Sequence, residues 1–202
     1  ACADWAGVYA QYHDAVFARQ AAEDADQHGI GTGHLRRLHQ VVQQVLRSKV
    51  GAQADHGANA DGHCQVAAIG PGIMALVGFG QEDGPDFNTS PAFQGMAHKL
   101  LGLRIFPGQG GLAHKFHTSL EEFCGQLLLV PQFTLYADCR KGRRPSFTDA
   151  GNPDWARPMF DYFVKMVDES CAVSVSSGIF GADMAVRLCN WGPVTIWLDS
   201  AN

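Results

Sequence analysis

Two short segments of the chain have residue types that could bind a reacting acyl group. The first is PQFTL at 131–135, which directly follows the apolar run at 125–130. A strand that ends at such a turn can leave backbone N–H groups unpaired and directed into a cleft, which is the simplest oxyanion hole. Thr134 could instead serve as a nucleophile, but no His or Lys lies near it in sequence to act as its base.

The second segment is NWGPVT at 190–195. Gly192 has no Cβ, so its carbonyl can approach a ligand closely, and Pro193 restricts the local backbone. Spacing alone also fits an ordinary strand end and an ordinary Gly-Pro turn, and it favours that simpler interpretation. The residues therefore leave both interpretations of the two segments open.

A strongly basic loop follows the first segment. Four cations, Arg140, Lys141, Arg143 and Arg144, lie within five residues, although the formal net charge of the protein is −5. This net charge argues against a protein that coats nucleic acid by bulk positive charge. A nucleic-acid partner would need a local basic patch, and this loop supplies one.

Other kinds of site have weaker support. His114 and His117 form an H-x-x-H pair without a third ligand in sequence context, so we predict no metal site. Gly78, Gly80 and Gly84 have the wrong spacing for a dinucleotide-binding loop, and acidic residues lie between the last two. We therefore expect neither a metal site nor a dinucleotide-binding loop at these residues.

Composition limits the class of protein. With 202 residues, 46% of them hydrophobic, the chain can form one domain with a sizeable core, with or without an appendage. Its six cysteines are scattered without a C-x-x-C pair, which favours a reduced intracellular setting. No apolar run approaches the roughly 20 residues that cross a bilayer. We predict a soluble, cytoplasmic protein.

Residues 1–37 differ in residue pattern from the rest of the chain. Apolar residues recur there at helical spacing and are followed by HGIGTGH at 28–34. We predict an N-terminal helical extension with a Gly-rich linker, which either packs on the protein or contacts a partner. Residues 38–202 are expected to form the main domain.

The pattern of that domain predicts an α/β fold. Short β-rich runs include 40–45, 64–70 and 73–80, with a hairpin turn expected at Gly70-Pro71-Gly72. Two helices are expected, one over 91–101 and one beginning at Asn152-Pro153. The apolar run at 125–135 suits a strand buried on both faces. We expect layered, barrel-like β-sheets with two main helices packed on one side.

Several long motifs in colinear order, including VVQQV, IGPGIMALVGFG, PQFTLYADCRKGRRPSFTDA, FGADMAV and NWGPVTIWLDS, resemble the D-aminoacyl-tRNA deacylase (D-tyrosyl-tRNA deacylase) family. The resemblance covers about 38–200. It implies a homodimer of α/β subunits that hydrolyses the ester joining a D-amino acid, or glycine, to the terminal adenosine of tRNA. It also implies that no metal or organic cofactor takes part and that the reaction uses bound water and the ribose 2′-hydroxyl.

The resemblance also assigns residue roles. The pocket floor and its oxyanion-binding N–H groups correspond to Gln132, Phe133 and Thr134. The partner subunit contributes a segment whose cis Gly-Pro peptide presents carbonyls to the substrate amino group. The residues of that segment correspond here to Asn190, Gly192, Pro193 and Thr195. The basic loop would neutralise phosphates of the acceptor end. The residues placed near the adenine are Phe180 and Met184, for which core packing is the competing explanation.

Two positions depart from the family pattern. Pro131 stands where Ser is usual, and Gln44 stands where an Arg near the Gly-Pro segment is usual. These departures support two alternatives. One is a relaxed-chirality deacylase that also accepts small L-aminoacyl-tRNA such as L-Ala-tRNA, with Gly192-Pro193 trans or less firmly held. The other is a tRNA-end binding protein without hydrolytic activity.

Overall fold

The computed structural model describes residues 40–46, 50–54, 64–108, 110 and 115–200. The predicted N-terminal helix and linker lie outside these residues. The division between an extension and a main domain near residue 38 therefore stays a prediction.

The described strands form three sheets. The five-stranded sheet has the order β10-β1-β4-β7-β8, the three-stranded sheet has the order β3-β2-β9, and β5 pairs with β6. The bounds are β1 Gln40–Leu46, β2 Val50–Ala54, β3 Cys64–Ile69, β4 Gly72–Gly78, β5 Phe106–Pro107, β6 Phe116–Thr118, β7 Gln126–Pro131, β8 Val175–Ser177, β9 Met184–Arg187 and β10 Asn190–Asp199. In the large sheet β4 and β7 are parallel, whereas β1 is antiparallel to both β4 and β10.

Strand β7 lies at the centre of the core. Leu127 and Leu129 belong to one buried cluster, whereas Leu128 and Val130 belong to another. This alternation follows from the two-residue period of a strand, which sends successive side chains to opposite faces. The prediction of a strand buried on both faces is confirmed over Gln126–Pro131, whereas the end of the predicted run forms a 3₁₀ helix that begins at Phe133.

Two helices cover one face of the large sheet. Helix α1 (Pro91–Gly102) begins after Ser90, whose hydroxyl accepts a hydrogen bond from the Phe93 N–H at 3.2 Å. Helix α2 (Pro153–Glu169) begins after Asn152, whose side-chain oxygen accepts from the Asp154 N–H at 2.9 Å. Both caps satisfy N–H groups that the first helical turn leaves unpaired.

The helices share one core. Phe93 of α1 and Phe163 of α2 pack edge to face with ring centroids 5.3 Å apart, in the same cluster as Leu127. The three-stranded sheet lies against the opposite face, where Ile69 and Val186 pack with Leu128. The predicted layered α/β fold with two helices is confirmed. Closure of the strands into a barrel stays a prediction.

The expected hairpin at Gly70-Pro71-Gly72 is wrong. Strand β3 pairs with β2 in the three-stranded sheet, whereas β4 pairs with β1 and β7 in the five-stranded sheet. The turn therefore carries the chain from one layer to the other. Gly72 permits this crossing because a Cβ there would lie 1.9 Å from the carbonyl oxygen of Gln126.

Neither described helix combines the length and the apolar character that a bilayer crossing requires.

Candidate active site

The predicted turn at the end of β7 is a 3₁₀ helix over Phe133–Tyr136. The Gln132 N–H donates to the Val77 carbonyl at 2.8 Å, so this N–H is not available to a ligand. The N–H groups of Phe133 and Thr134 begin the 3₁₀ helix and have no acceptor among the described residues. Both residues are exposed. Two adjacent backbone donors are therefore free to bind an oxyanion.

Close packing fixes this turn against β4. A Cβ at Gly78 would lie 2.8 Å from the Gln132 carbonyl oxygen and 3.2 Å from the ring of Tyr136, which is buried. The absence of a side chain at Gly78 therefore lets the 3₁₀ helix rest directly on the neighbouring strand. The sequence marks this glycine only as the end of a strand.

The Thr134 hydroxyl is not arranged as an activated nucleophile. It accepts a hydrogen bond from the Gln132 side-chain amide, which is a donor and cannot remove a proton. No carboxylate, imidazole or amine contacts this hydroxyl within the described part of the chain. The geometry favours a role for the backbone N–H groups as hydrogen-bond donors over a role for the hydroxyl as a nucleophile.

The 190–195 segment forms an excursion from the sheet. Thr195 lies opposite Gln44 in β1 and Asn190 lies opposite Leu46, so four residues, 191–194, stand opposite a single residue of β1. The Asn190 amide nitrogen donates to the Thr195 hydroxyl at 2.9 Å, and its oxygen accepts from the Val194 N–H at 3.2 Å. Asn190 and Thr195 therefore hold the excursion in shape from its two ends.

Gly192 is at the tip of this excursion and is exposed. Its φ is +121°, and a Cβ there would lie 2.8 Å from the Val194 Cγ2. Only glycine fits this backbone without strain. The Gly192-Pro193 peptide is cis, so the trans alternative is wrong.

The two segments lie at opposite corners of the large sheet. Strands β1 and β4 separate β10 from β7. Through the register of these four strands, Asn190 aligns with Gln126 across the sheet and Leu198 aligns with Pro131. Three strand spacings of about 4.8 Å and five residues of about 3.3 Å give a separation on the order of 20 Å. One chain does not bring the two segments together.

The basic loop is the tip of a small hairpin. Asp138 and Ser146 close it with two backbone hydrogen bonds of 2.8 and 2.9 Å. Arg140 is exposed but paired, since its guanidinium donates to both Asp138 carboxylate oxygens at 2.8 and 2.7 Å. These bonds hold the pKa of Asp138 well below its usual range and raise the pKa of Arg140.

Arg140 therefore presents a paired charge on an exposed side chain. Its role in binding tRNA stays a prediction. Lys141, Arg143 and Arg144 are exposed and have no ion pair or hydrogen bond within the described part of the chain. Asp138 was missed from the sequence, although an Asp that accepts from the N–H two residues later is a recognised turn signal.

Met184 lies beside the end of β7, whereas Phe180 packs against α2. A Cβ at Gly178 would be 3.0 Å from the Met184 sulfur and 3.3 Å from the Pro131 Cδ. Phe180 is partly buried, and the Arg157 guanidinium carbon is 5.2 Å from its ring centroid. Phe180 packs on the cluster that includes Leu127 and Met184 on the cluster that includes Leu128, so core packing accounts for part of their contacts. Their role beside the adenine stays a prediction.

No group of three His, Cys, Asp or Glu side chains suited to a metal ion occurs among the residues that the structure describes. His114 lies outside those residues, and His117 is exposed. The absence of a metal from the reaction stays a prediction.

Comparison with known proteins identifies close relatives. A D-aminoacyl-tRNA deacylase from Desulfovibrio desulfuricans is 81% identical over 160 residues, which is 79% of this chain and 94% of that protein. A D-aminoacyl-tRNA deacylase from Solidesulfovibrio magneticus is 49% identical over 162 residues, 80% of this chain and 95% of that protein.

Solved structures share the fold. The c-Myc DNA Unwinding Element Binding Protein matches with a TM-score of 0.65 and 30% identity over 80% of this chain and 97% of that chain. A probable eukaryotic D-amino acid tRNA deacylase matches with a TM-score of 0.58 and 22% identity over 80% of this chain and 100% of that chain.

The model of the D-Tyr-tRNA(Tyr) deacylase family matches residues 41–199, which include the turn at the end of β7, the basic hairpin and the 190–195 excursion. With the 81% identity of the Desulfovibrio desulfuricans protein, this match shows that the chain belongs to the D-Tyr-tRNA(Tyr) deacylase family.

Proposed function

We propose that the protein hydrolyses the ester bond of D-aminoacyl-tRNA, and of Gly-tRNA, and so returns free tRNA to translation. Its family and its 81% identical relative are deacylases by name, which makes it a hydrolase acting on an ester. The observation that carries a mechanism is the pair of unpaired N–H groups at Phe133 and Thr134. A cytoplasmic location is part of this proposal, because aminoacyl-tRNA is used there.

The two amides would stabilise the negative charge that develops on the ester carbonyl oxygen. A water molecule adds to the carbonyl carbon, and the bond from that carbon to the ribose oxygen then breaks. The ribose oxygen takes up a proton, and the amino acid leaves as a free carboxylate. The ribose 2′-hydroxyl is the group nearest to the ester that can relay the proton. This sequence of steps needs no metal or organic cofactor.

The pocket that we propose contains residues of two chains. The turn at 133–136 and the excursion at 190–195 are too far apart in one chain to face the same substrate. A second copy could place its Gly192 and Pro193 carbonyls opposite the first copy's Phe133 and Thr134 amides. Strand β10 is at the edge of its sheet and exposes Trp197, which is 50% accessible and suits a homodimer contact.

Deacylation is tested by incubating the protein with labelled D-Tyr-tRNA, Gly-tRNA and L-Ala-tRNA, with and without a strong chelator. We expect loss of the ester from D-Tyr-tRNA and Gly-tRNA at rates that the chelator does not change, and slower loss from L-Ala-tRNA. Binding without ester loss would support the tRNA-end binding alternative. Equal rates on D-Tyr-tRNA and L-Ala-tRNA would support relaxed chirality. Inactivation by the chelator, reversed by zinc, would contradict the metal-free mechanism.

The basic hairpin is proposed to bind phosphates of the acceptor end through Lys141, Arg143 and Arg144. The double variant Arg143→Ala/Arg144→Ala should weaken tRNA binding and reduce the log-log salt slope by about 1.4 to 1.8, because each lost phosphate contact removes about 0.7 to 0.9. The measurement is the dissociation constant of tRNA across a series of salt concentrations.

A matched control is Lys99→Ala/Lys165→Ala, which removes the same charge from the exposed surfaces of α1 and α2. It should leave the salt slope nearly unchanged. Equal slopes for both double variants would show that the hairpin contributes only net charge.

A further inference from the structure

Phe133 and Phe147 form an aromatic pair on the surface. Their ring centroids are 5.1 Å apart with an interplanar angle of 69°, so the edge of one ring meets the face of the other. The residues are 55% and 37% exposed, and neither belongs to the two buried clusters. Core packing therefore does not account for these two large apolar side chains.

The pair connects two features that the proposed function uses. Phe133 begins the 3₁₀ helix that carries the unpaired amides, and Phe147 directly follows Ser146, the residue that closes the basic hairpin. The Phe147 carbonyl accepts from the Ala150 N–H at 3.1 Å, which holds the chain beyond the hairpin in a turn. An apolar surface thus lies beside the ester site and next to three unpaired cations.

A single-stranded nucleic acid has the chemistry that matches this arrangement. Its phosphates bind cations, and its bases stack on exposed aromatic rings. When the ester carbonyl is at the Phe133 and Thr134 amides, the terminal ribose is there too. Because Phe147 directly follows the basic hairpin, the 5′ phosphate of that ribose can lie toward the hairpin cations. The nucleotide before the terminal adenosine then reaches the aromatic pair.

We propose that Phe147, supported at its side by Phe133, stacks against the base of the nucleotide that precedes the terminal adenosine of the substrate. This inference rests on the proposed deacylase function and assigns Phe147 a role in holding the single-stranded end of the tRNA. The stack would position the ester without contacting the reacting atoms. Recognition of this kind tolerates different bases, because every base has a face that can stack.

The experiment uses three minimal substrates: the D-tyrosyl ester of adenosine 5′-monophosphate, the same ester of the dinucleotide CpA, and a CpA analogue that lacks the cytosine base. For the unmodified protein, kcat/KM on CpA should exceed kcat/KM on the base-free analogue by about 5-fold to 160-fold, which is the effect of one base–aromatic stack. The variant Phe147→Leu should lose this preference, and Phe147→Trp should retain it.

A control variant is Tyr162→Leu, which removes another exposed ring, on α2. It should keep the full preference for CpA. Thermal unfolding and sedimentation of each variant show whether the fold and the subunit contacts are intact.

Three results would overturn the proposal. The unmodified protein could hydrolyse CpA and its base-free analogue equally well. Phe147→Leu could lower kcat/KM equally on the mononucleotide and on CpA, which would place the ring in the amino-acid pocket. Phe147→Leu could change the sedimentation of the protein, which would make the pair a subunit contact. Failure of the unmodified protein to hydrolyse D-Tyr-tRNA would instead remove the deacylase function itself.

Discussion

Replacing the backbone amide of residue 134 by an ester linkage is expected to lower kcat on D-Tyr-tRNA by about 10²- to 10³-fold. The loss is that of one oxyanion-binding donor, since the substitution exchanges an N–H group for an oxygen atom. The cleanest comparison is between Thr134→Ala and the same protein with lactic acid at residue 134, because the two differ only in that N–H. Single-turnover hydrolysis of D-Tyr-tRNA measures the effect.

Two further variants separate the amide from the side chain. Thr134→Ala alone should keep most of the activity, because the hydroxyl contacts only the Gln132 amide among the described residues. Thr134→Pro also removes the N–H and should lose activity to a similar extent as the lactic acid variant. A correctly folded but inactive Thr134→Ala protein would revive the nucleophile hypothesis.

Gly192→Ala is expected to lower kcat/KM by about 10²-fold. A Cβ at this position would lie 2.8 Å from the Val194 Cγ2, and the φ of +121° is one that alanine adopts only with strain. The tip of the excursion must shift, and a displacement of about 1 Å at a positioning element can cost about 10²-fold in rate. Steady-state hydrolysis of D-Tyr-tRNA, together with thermal unfolding, measures the change.

Gly84→Ala is a matched control for the backbone effect. Gly84 also has a positive φ, of +70°, but no atom lies within 4 Å of its Cβ position. This variant should lose some stability and keep its activity. If Gly192→Ala were as active as Gly84→Ala, the carbonyls of the excursion would not take part in substrate binding.

Much of the fold could be predicted because local signals and packing agree. Asn152 followed by Pro153 marks a helix start, and the structure uses both residues in that way. The apolar run that ends at Pro131 predicts a strand with two buried faces, because no polar face is present to meet solvent. Such signals need no knowledge of distant partners.

The hairpin prediction at Gly70–Gly72 failed for a physical reason. Glycine and proline indicate that the chain turns, but they do not indicate which strand becomes the neighbour. The partner of β4 is chosen by burial against β7, where Gly72 contacts the Gln126 backbone. That choice depends on a contact 54 residues away in sequence, which no local pattern reveals.

In the site too, features set by neighbouring residues could be predicted, whereas hydrogen bonds set by the fold could not. The sequence predicted unpaired amides at the end of β7, but only the structure shows that the Gln132 N–H is used by Val77. The basic loop was evident from composition, whereas the pairing of Arg140 with Asp138 depends on the hairpin's geometry. The hydrogen bonds of the Asn190 side chain to Thr195 and Val194 could not be predicted. They depend on the register in which residues 191–194 of β10 stand opposite a single residue of β1.

We propose that two chains complete one active site, with the amides of Phe133 and Thr134 from one copy and the Gly192 carbonyl from the other. The most direct measurement is subunit complementation with Thr134→Pro and Gly192→Ala, each nearly inactive alone. The two proteins are co-expressed in equal amounts and assayed on D-Tyr-tRNA. In a mixed dimer one site contains both changes and the other contains neither.

Random pairing makes about half of the dimers mixed, so a shared site should restore about a quarter of the unmodified activity. Co-expressed chains that are no more active than the two variants assayed separately would show that each chain contains a complete site, and would rule out a site shared between two chains.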